Sequence, residues 1–411
     1  MVTTFYPPFN FGGDGIFVHR LANALARRGH HVDVIHCRDA YQLSAGTEVT
    51  TGYDNHPNIT VHGLKSNWGF LSPLATQQTG HPVFKSTQLN TLIQRQFDVI
   101  HFHNISLVGG PAVMARGAGI KLYTLHDYWL ICPTHVMFKF NRSACTKRRC
   151  YACGLAHKRP PQWWRHSTLL EKAARNIDAF ITPSRFAGDL HRQFGFDVPF
   201  VHLPNFVPAI AGVPPPPNTR DEGSKKPYFL FVGRLERLKG LQTIIPLFRD
   251  YDKAQLWIAG TGKDERKMRR LAAGSSNIRF LGYVSGTEEL QALYRQTRAV
   301  IVPSLCYEVF PLVLLEAFQQ QTPVITRNIG AMPDVVAESG GGLTYDTPHD
   351  LIAAMDLLLD DQSRRDEFGK RGHDTYRQRW TTEAHLQRYL GLIQERMRAR
   401  PLFDHPHDAN G

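Results

Sequence analysis

The sequence predicts an α/β protein built from two doubly wound domains of parallel sheet that face each other across a cleft. Three observations carry that expectation. Short β-type runs alternate with amphipathic helical patterns in both halves of the chain. Four consecutive prolines, Pro214 to Pro217, interrupt the alternation near the middle. The 411 residues, 42% hydrophobic and 20% charged, are enough for two ordinary cores.

In chain order, the first strand is Val2 to Phe5, held short by Pro7 and Pro8, which cannot donate to a ladder. A helix follows from Phe17 to Arg28, where apolar residues recur at helical spacing. Next come strands at His31 to His36 and Ile59 to His62, a helix at Val83 to Gln96, and strands at Asp98 to His103, Ile120 to Leu125 and Ala179 to Thr182. A helix at Pro183 to Gln193 and a strand at Phe200 to Leu203 complete a first domain over 1–206, and 207–227 is the linker. The alternation restarts with strands at Tyr228 to Val232, Gln255 to Ala259, Ile278 to Leu281, Ala299 to Val302 and Pro323 to Thr326, in a second domain over 228–379. A helix over 380–400 crosses back to the first domain, and 401–411 is a polar tail. The site belongs where the carboxyl ends of the two sheets meet.

Several classes are excluded. No window approaches the roughly 18 apolar residues of a spanning helix. The start, Met-Val-Thr-Thr-Phe-Tyr-Pro-Pro, has neither a basic nor an apolar leader region, so a cytoplasmic location is expected. Six cysteines are too few for a disulfide scaffold. The net charge of +12 is uneven: from Tyr128 to Leu170 there are eight Lys or Arg and no Asp or Glu. Such a surface draws anions, whether phosphorylated substrates, acidic lipids or nucleic acid.

Two stretches of the second domain carry chemistry. Phe229-Leu-Phe-Val-Gly-Arg-Leu-Glu-Arg-Leu-Lys-Gly240 puts Gly233 at a strand end, Arg234 in the loop and Lys239 near a helix start. The planar fork of Arg and the point charge of Lys suit a diphosphate, although a solvated basic loop would read the same. Val302-Pro-Ser-Leu-Cys-Tyr-Glu-Val-Phe-Pro-Leu-Val-Leu-Leu-Glu-Ala317 runs from a strand through a loop into an apolar helix. Pro311 fits the first helical turn, leaving the amides of Leu312 and Val313 to face a phosphate. Glu316, a carboxylate in an apolar run, needs a partner: a ribose diol or a buried ion pair. Were the stretch from Glu308 to Glu316 helical, the two carboxylates would stand roughly 12 Å apart, too far for a glycosidase acid and base.

These motifs, with the Gly12-Gly13 loop after Pro7-Pro8 and the Arg28-Gly-His-x-Val32 entry to the second strand, resemble the family-4 retaining glycosyltransferases of GT-B architecture over nearly the whole chain. The resemblance implies two Rossmann-like domains and a nucleotide-sugar donor, UDP- or GDP-linked. It implies that Arg234 and Lys239 stabilise the departing nucleoside diphosphate, that Glu308 faces the donor sugar and that Glu316 holds the ribose. Phe310, Leu312 and Val313 would border the phosphates, Gly13 and Gly233 would let main chain approach the donor, and Tyr283 and Val284 lie where main chain reads the base. His126 resembles a histidine that contacts the transferred sugar. Val309 and Pro311 depart from the glycines that many members carry there. Nothing resembles the Asp-x-Asp metal clamp of other glycosyltransferases, so catalysis is expected to require no cofactor: the acceptor attacks on the face the diphosphate leaves, and the phosphate helps remove its proton.

Cys132-x12-Cys145-x4-Cys150-x2-Cys153 supplies four thiols, enough for a structural zinc shell, or else free cysteines in a surface insertion over 128–170. The same segment carries Lys147-Arg-Arg149, Lys158-Arg159 and Trp163-Trp164, which suit peripheral contact with a membrane's inner face and a glycan or lipid-linked acceptor there. Nucleic-acid binding would leave the second domain's motifs unexplained, so no nucleic acid is expected. A nucleotide-sugar epimerase of the same double fold and a non-catalytic basic scaffold are the alternatives to a hexosyl transfer.

Overall fold

Parallel strands buried on both faces need crossover helices, and the chain supplies them in both halves. A computed structural model describes residues 1–10, 12–45, 52–209, 226–284 and 287–399; Phe11, Pro214 to Pro217 and the tail from 401 lie outside them. In the first half the strands are β1 (Val32–Cys37), β2 (Ile59–Leu64), β3 (Val99–Phe102), β4 (Ile120–Thr124), β5 (Phe138–Lys139), β6 (Ser143–Ala144), β7 (Ala179–Thr182) and β8 (Phe200–His202). β1 and β2 pair in parallel, and β3, β4, β7 and β8 form a parallel sheet in that order. Val2 bridges β1 at Ile35 and β3 at Phe102, joining the two pieces.

The strand expected over Val2 to Phe5 is thereby shortened to one bridging residue. Val2 N–H reaches His101 O at 2.8 Å, Thr3 N–H reaches Ile35 O at 3.0 Å and Cys37 N–H reaches Thr4 O at 3.1 Å, after which the chain leaves the ladder and Tyr6 and Phe9 close a turn around the prolines. The helix expected over Val83 to Gln96 is a 3-10 turn, Val83–Lys85, followed by an α-helix, Ser86–Ile93. β5 and β6, a short hairpin in the basic insertion, were not expected.

The second half contains β9 (Tyr228–Val232), β10 (Gln255–Ala259), β11 (Ile278–Gly282), β12 (Val300–Val302), β13 (Val324–Arg327) and β14 (Gly342–Tyr345). All pair in parallel in the order β11-β10-β9-β12-β13-β14. The winding reverses between β9 and β12, which makes the crevice beyond their carboxyl ends the binding position. The loops there are Gly233 to Gly240 and Pro303 to Pro311. In the first half the winding reverses between the Val2 bridge and β3, so the Gly12-Gly13 turn and His103 border the facing crevice.

The helix Thr382–Ala399 lies against the first half's sheet: Leu386, Tyr389, Leu392 and Ile393 share a core with Phe17, Leu21, Ile120 and Leu122. No helix among the described residues is long and apolar enough to cross a membrane.

Candidate active site

Past β9, Gly233 N–H bonds Ala259 O at 3.0 Å, and the chain makes a 3-10 turn over Arg237–Lys239 closed by Gly240 in the left-handed region, φ 78°. This turn aims Lys239 at the opposite loop. Its Nζ donates to Glu308 Oε1 at 2.8 Å, and Ser304 Oγ donates to the same oxygen at 2.7 Å. Burial pushes the Glu308 carboxyl up, but the Lys239 charge and hydrogen bond, the Ser304 hydroxyl and Arg234 outweigh it and hold the group below the usual carboxylate range. Lys239 moves the opposite way: burial pulls it down, and Glu308 more than restores it. Arg234 lies at the mouth, half exposed, its Nη1 3.1 Å from Glu236 Oε1. Cys306, between them, is pushed up to about 12 by burial first and by Glu308 second, so it is a neutral thiol and no nucleophile.

The helix of the second motif runs Leu312–Gln319, and Pro311 is its N-cap (φ −76°, ψ 111°), one residue earlier than the first-turn position read from sequence. The correction has a simple cause, since an extended ψ at Pro311 lets the loop from Glu308 join the helix end-on. Pro311 O accepts from Leu314 N–H at 3.2 Å, while the amides of Leu312 and Val313 make no hydrogen bond to protein among the described residues. Glu316 has protein partners on both oxygens: Tyr294 OH at 3.0 Å and, from the first half, Arg20 at 3.4 Å. Phe310 is buried edge-on to Trp380, and Val309 packs into the first half's core, a contact no glycine could make. Tyr283 is exposed and Val284 half-buried just past β11.

The first half closes the other wall. Gly13 begins the helix Gly13–Arg27, and a Cβ there would stand 3.7 Å from Leu312 Cδ1, so the two helix N-termini nearly touch. Tyr128 OH reaches Glu308 O at 3.5 Å. His126 sits two residues beyond β4 with Nε2 2.9 Å from His103 Nδ1, and burial pulls its pKa down to about 4. The structure therefore gathers Gly13, Gly233, Arg234, Lys239, Glu308, Leu312 and Val313 at one crevice. Sequence reasoning missed Arg20, Tyr294, Ser304, Tyr128 and His103. Only His103 carried a signal, because His101 and His103 alternate on one face of a strand.

The insertion gives a mixed outcome. Cys132, Cys145, Cys150 and Cys153 line one small cavity, yet no group of three or more His, Cys, Asp or Glu among the described residues is placed to hold a metal ion, and the expected structural zinc gains no support. The tryptophans separate: Trp164 is 4% exposed, its Nε1 bonded to Gln77 O at 3.0 Å, whereas Trp163 is 62% exposed.

Two facing parallel-sheet domains, with a basic and amide-lined crevice at the reversal point of the second, define a glycosyltransferase of the GT-B architecture. Comparison with known proteins agrees. The model for Glycosyltransferase Family 4 matches residues 11–209 and that for Glycosyl transferases group 1 matches residues 217–375. The chain belongs to the family-4 glycosyltransferases. It is 29% identical over 394 residues to a glycogen synthase of Mycobacterium tuberculosis, covering 88% of this chain and 86% of the relative. It is 27% identical over 387 residues to a D-inositol 3-phosphate glycosyltransferase of Pseudarthrobacter chlorophenolicus, covering 87% and 84%. In fold it matches a sucrose-phosphate synthase from Thermosynechococcus elongatus, with TM-score 0.72 and 19% identity over 97% of this chain and 99% of that one. It also matches the Anabaena protein HepE in complex with UDP, with TM-score 0.62 and 14% identity over 96% and 99%.

Proposed function

We propose that the chain transfers a hexose-type sugar, with retention, from a UDP- or GDP-linked donor to a glycan or lipid-linked acceptor. The observation that carries this reading is the meeting of Lys239, Arg234 and the open amides of Leu312 and Val313 at the reversal point of the second sheet. Two cations and a helix N-terminus form a fixed positive cradle for a diphosphate, and their pull grows as charge collects on the leaving group. Glu308, kept ionised by Lys239, accepts hydrogen bonds from hydroxyls of the donor sugar, and Glu316 takes the ribose by exchanging Arg20 for the diol. Tyr283 and Val284 offer main chain to the base, and the close approach at Gly13 leaves the acceptor hydroxyl room to enter beside the phosphate.

Glu316→Ala is expected to weaken nucleoside diphosphate binding about tenfold or more, the loss of a charge-assisted hydrogen-bonded pair. Titrating UDP, GDP and ADP by calorimetry checks this and identifies the base; unchanged affinity would remove Glu316 from the donor site. Release of free diphosphate together with a new glycoside, not an altered donor sugar, separates transfer from epimerisation.

The membrane part of the reading rests on a different face. Trp68, Phe70, Leu71, Val83 and Phe84 are exposed around the helix Leu71–Thr79, with the rings of Trp68 and Phe84 stacked at 5.1 Å, and Trp163 stands on the turn whose Trp164 is seated beside that helix. Neither Asn55 to Phe97 nor Tyr128 to Leu170 contains an Asp or Glu. An aromatic surface without acids fits an anionic bilayer. The protein should sediment with phosphatidylglycerol vesicles and not with phosphatidylcholine ones, and Trp68→Ala with Phe84→Ala should weaken the interaction about tenfold. Sedimentation that is insensitive to lipid charge and to these substitutions would end this reading.

A further inference from the structure

His103 has no part in the roles above, yet it is bonded to one of their members. It is 1% exposed, one residue past β3, and its ring stacks on that of His126 with centroids 5.1 Å apart and planes at 25°. The link between them is one hydrogen bond, His103 Nδ1 to His126 Nε2, at 2.9 Å. The other nitrogen of His103, Nε2, is enclosed and has no partner among the described residues. The ring nearest to it, His101 with centroid 3.9 Å away, has both nitrogens engaged, by Tyr389 OH at 2.9 Å and Thr124 Oγ1 at 2.8 Å. Phe17, against both His103 and His126, offers only carbon.

Burial keeps both rings of the pair in the neutral form, so the bridge holds a single proton and only two arrangements exist. In one, His126 Nε2–H donates to His103 Nδ1, which forces the remaining His103 proton onto Nε2, a buried N–H with nothing to accept it. In the other, His103 Nδ1–H donates to His126 Nε2, leaving at His103 Nε2 only an unfilled lone pair. An orphaned buried N–H is the rarer and costlier defect of the two. We infer that His103 is a positioning residue that fixes His126 as the Nδ1–H tautomer, so that His126 presents a hydrogen-bond donor, not a base, at the cleft. Its Nδ1 has no protein partner among the described residues and is not enclosed. A donor there holds a hydroxyl oxygen of the bound sugar. It cannot take the proton of the acceptor hydroxyl, which leaves that proton to the departing phosphate. The identity of the guest rests on the glycosyltransferase reading; the tautomer does not.

Long-range 15N–1H correlation on protein labelled in histidine tests it without substrate. The expected spectrum gives His126 a protonated Nδ1 and a bare Nε2, and gives His103 the same pattern. A protonated Nε2 on His126 overturns the inference. Asparagine at 103 keeps an N–H close to the Nδ1 position and leucine does not, so His103→Asn should retain kcat/KM within about threefold while His103→Leu loses about 10- to 100-fold. Equal losses in the two variants would also overturn it. Should the leucine variant fail to fold, the spectrum of the unaltered protein still decides, and a failure of the sugar-transfer reading leaves that spectrum unchanged.

Discussion

Replacing Lys239 with alanine is expected to lower kcat by about 10²- to 10³-fold, the scale seen when one preorganised charge is removed from a developing anion. Two losses combine. The diphosphate leaves without its compact cation, and the Glu308 carboxylate, now bonded only by Ser304 among the side chains that held it, stays in a site whose burial pushes its pKa upward. The sign with pH follows. Glu308 is depressed in the native protein, so its contribution to stability is present above the ordinary carboxylate range and is lost as pH falls through its lower folded value. Lys239 is raised, so its share is present below the ordinary lysine range and lost only as pH climbs past it. The pair is therefore intact across neutral pH, and in Lys239→Ala the acid limb of the activity profile should move toward neutrality. Single-turnover rates across pH, with thermal melts to verify folding, check both parts. A variant that keeps kcat within threefold would exclude Lys239 from the chemistry.

Gly240→Ala should be nearly as damaging by a mechanical route. Gly240 holds φ 78° between the turn bearing Lys239 and the helix Leu241–Asp250, and a Cβ there would meet Pro303 O at 1.8 Å, backbone against backbone. No side chain can rotate away from that clash. The loops after β9 and β12 must separate, which takes Lys239 away from Ser304 and Glu308. A loss on the order of 3 kcal/mol or more in stability, together with donor binding, is expected. Gly274, also left-handed at φ 81° but with open space around it, is the internal control: Gly274→Ala carries only the conformational strain, about 1 kcal/mol. Denaturant midpoints of the two variants measured side by side decide whether contact or conformation dominates, and similar losses would refute the clash.

How much was legible in the sequence depended on what kind of signal each element carried. Ala179–Thr182, Tyr228–Val232 and Gln255–Ala259 were read residue for residue, because parallel strands covered on both faces are apolar without interruption. Gly342–Tyr345 escaped, since an edge strand beginning with glycine and burying only Tyr345 has neither that run nor a clean alternation. The helix Leu71–Thr79 escaped for a related reason: with Ser, Pro and four Thr or Gln near its end it has little amphipathic pattern. At the site, both motifs were visible one by one, but their pairing was not. Lys239 and Glu308 are 69 residues apart, and Arg20 and Glu316 are 296 apart, so only the winding of the sheets brings them within bonding distance. Trp163 and Trp164 mislead as a dipeptide, because a 3-10 turn sends neighbouring side chains to opposite environments.

The chain passes between its two halves once near Val207 and returns near Trp380, and these passages are bonded to each other: Val207 N–H to Trp380 O at 3.0 Å, and Tyr376 OH to Val207 O at 3.2 Å. Two crossings tied at one point act as a single pivot. The covalent links between the halves are thus gathered at one place, while Arg20 with Glu316 and Tyr128 with Glu308 join them noncovalently at the crevice, so a ligand that displaces those contacts bears directly on how the halves are held together.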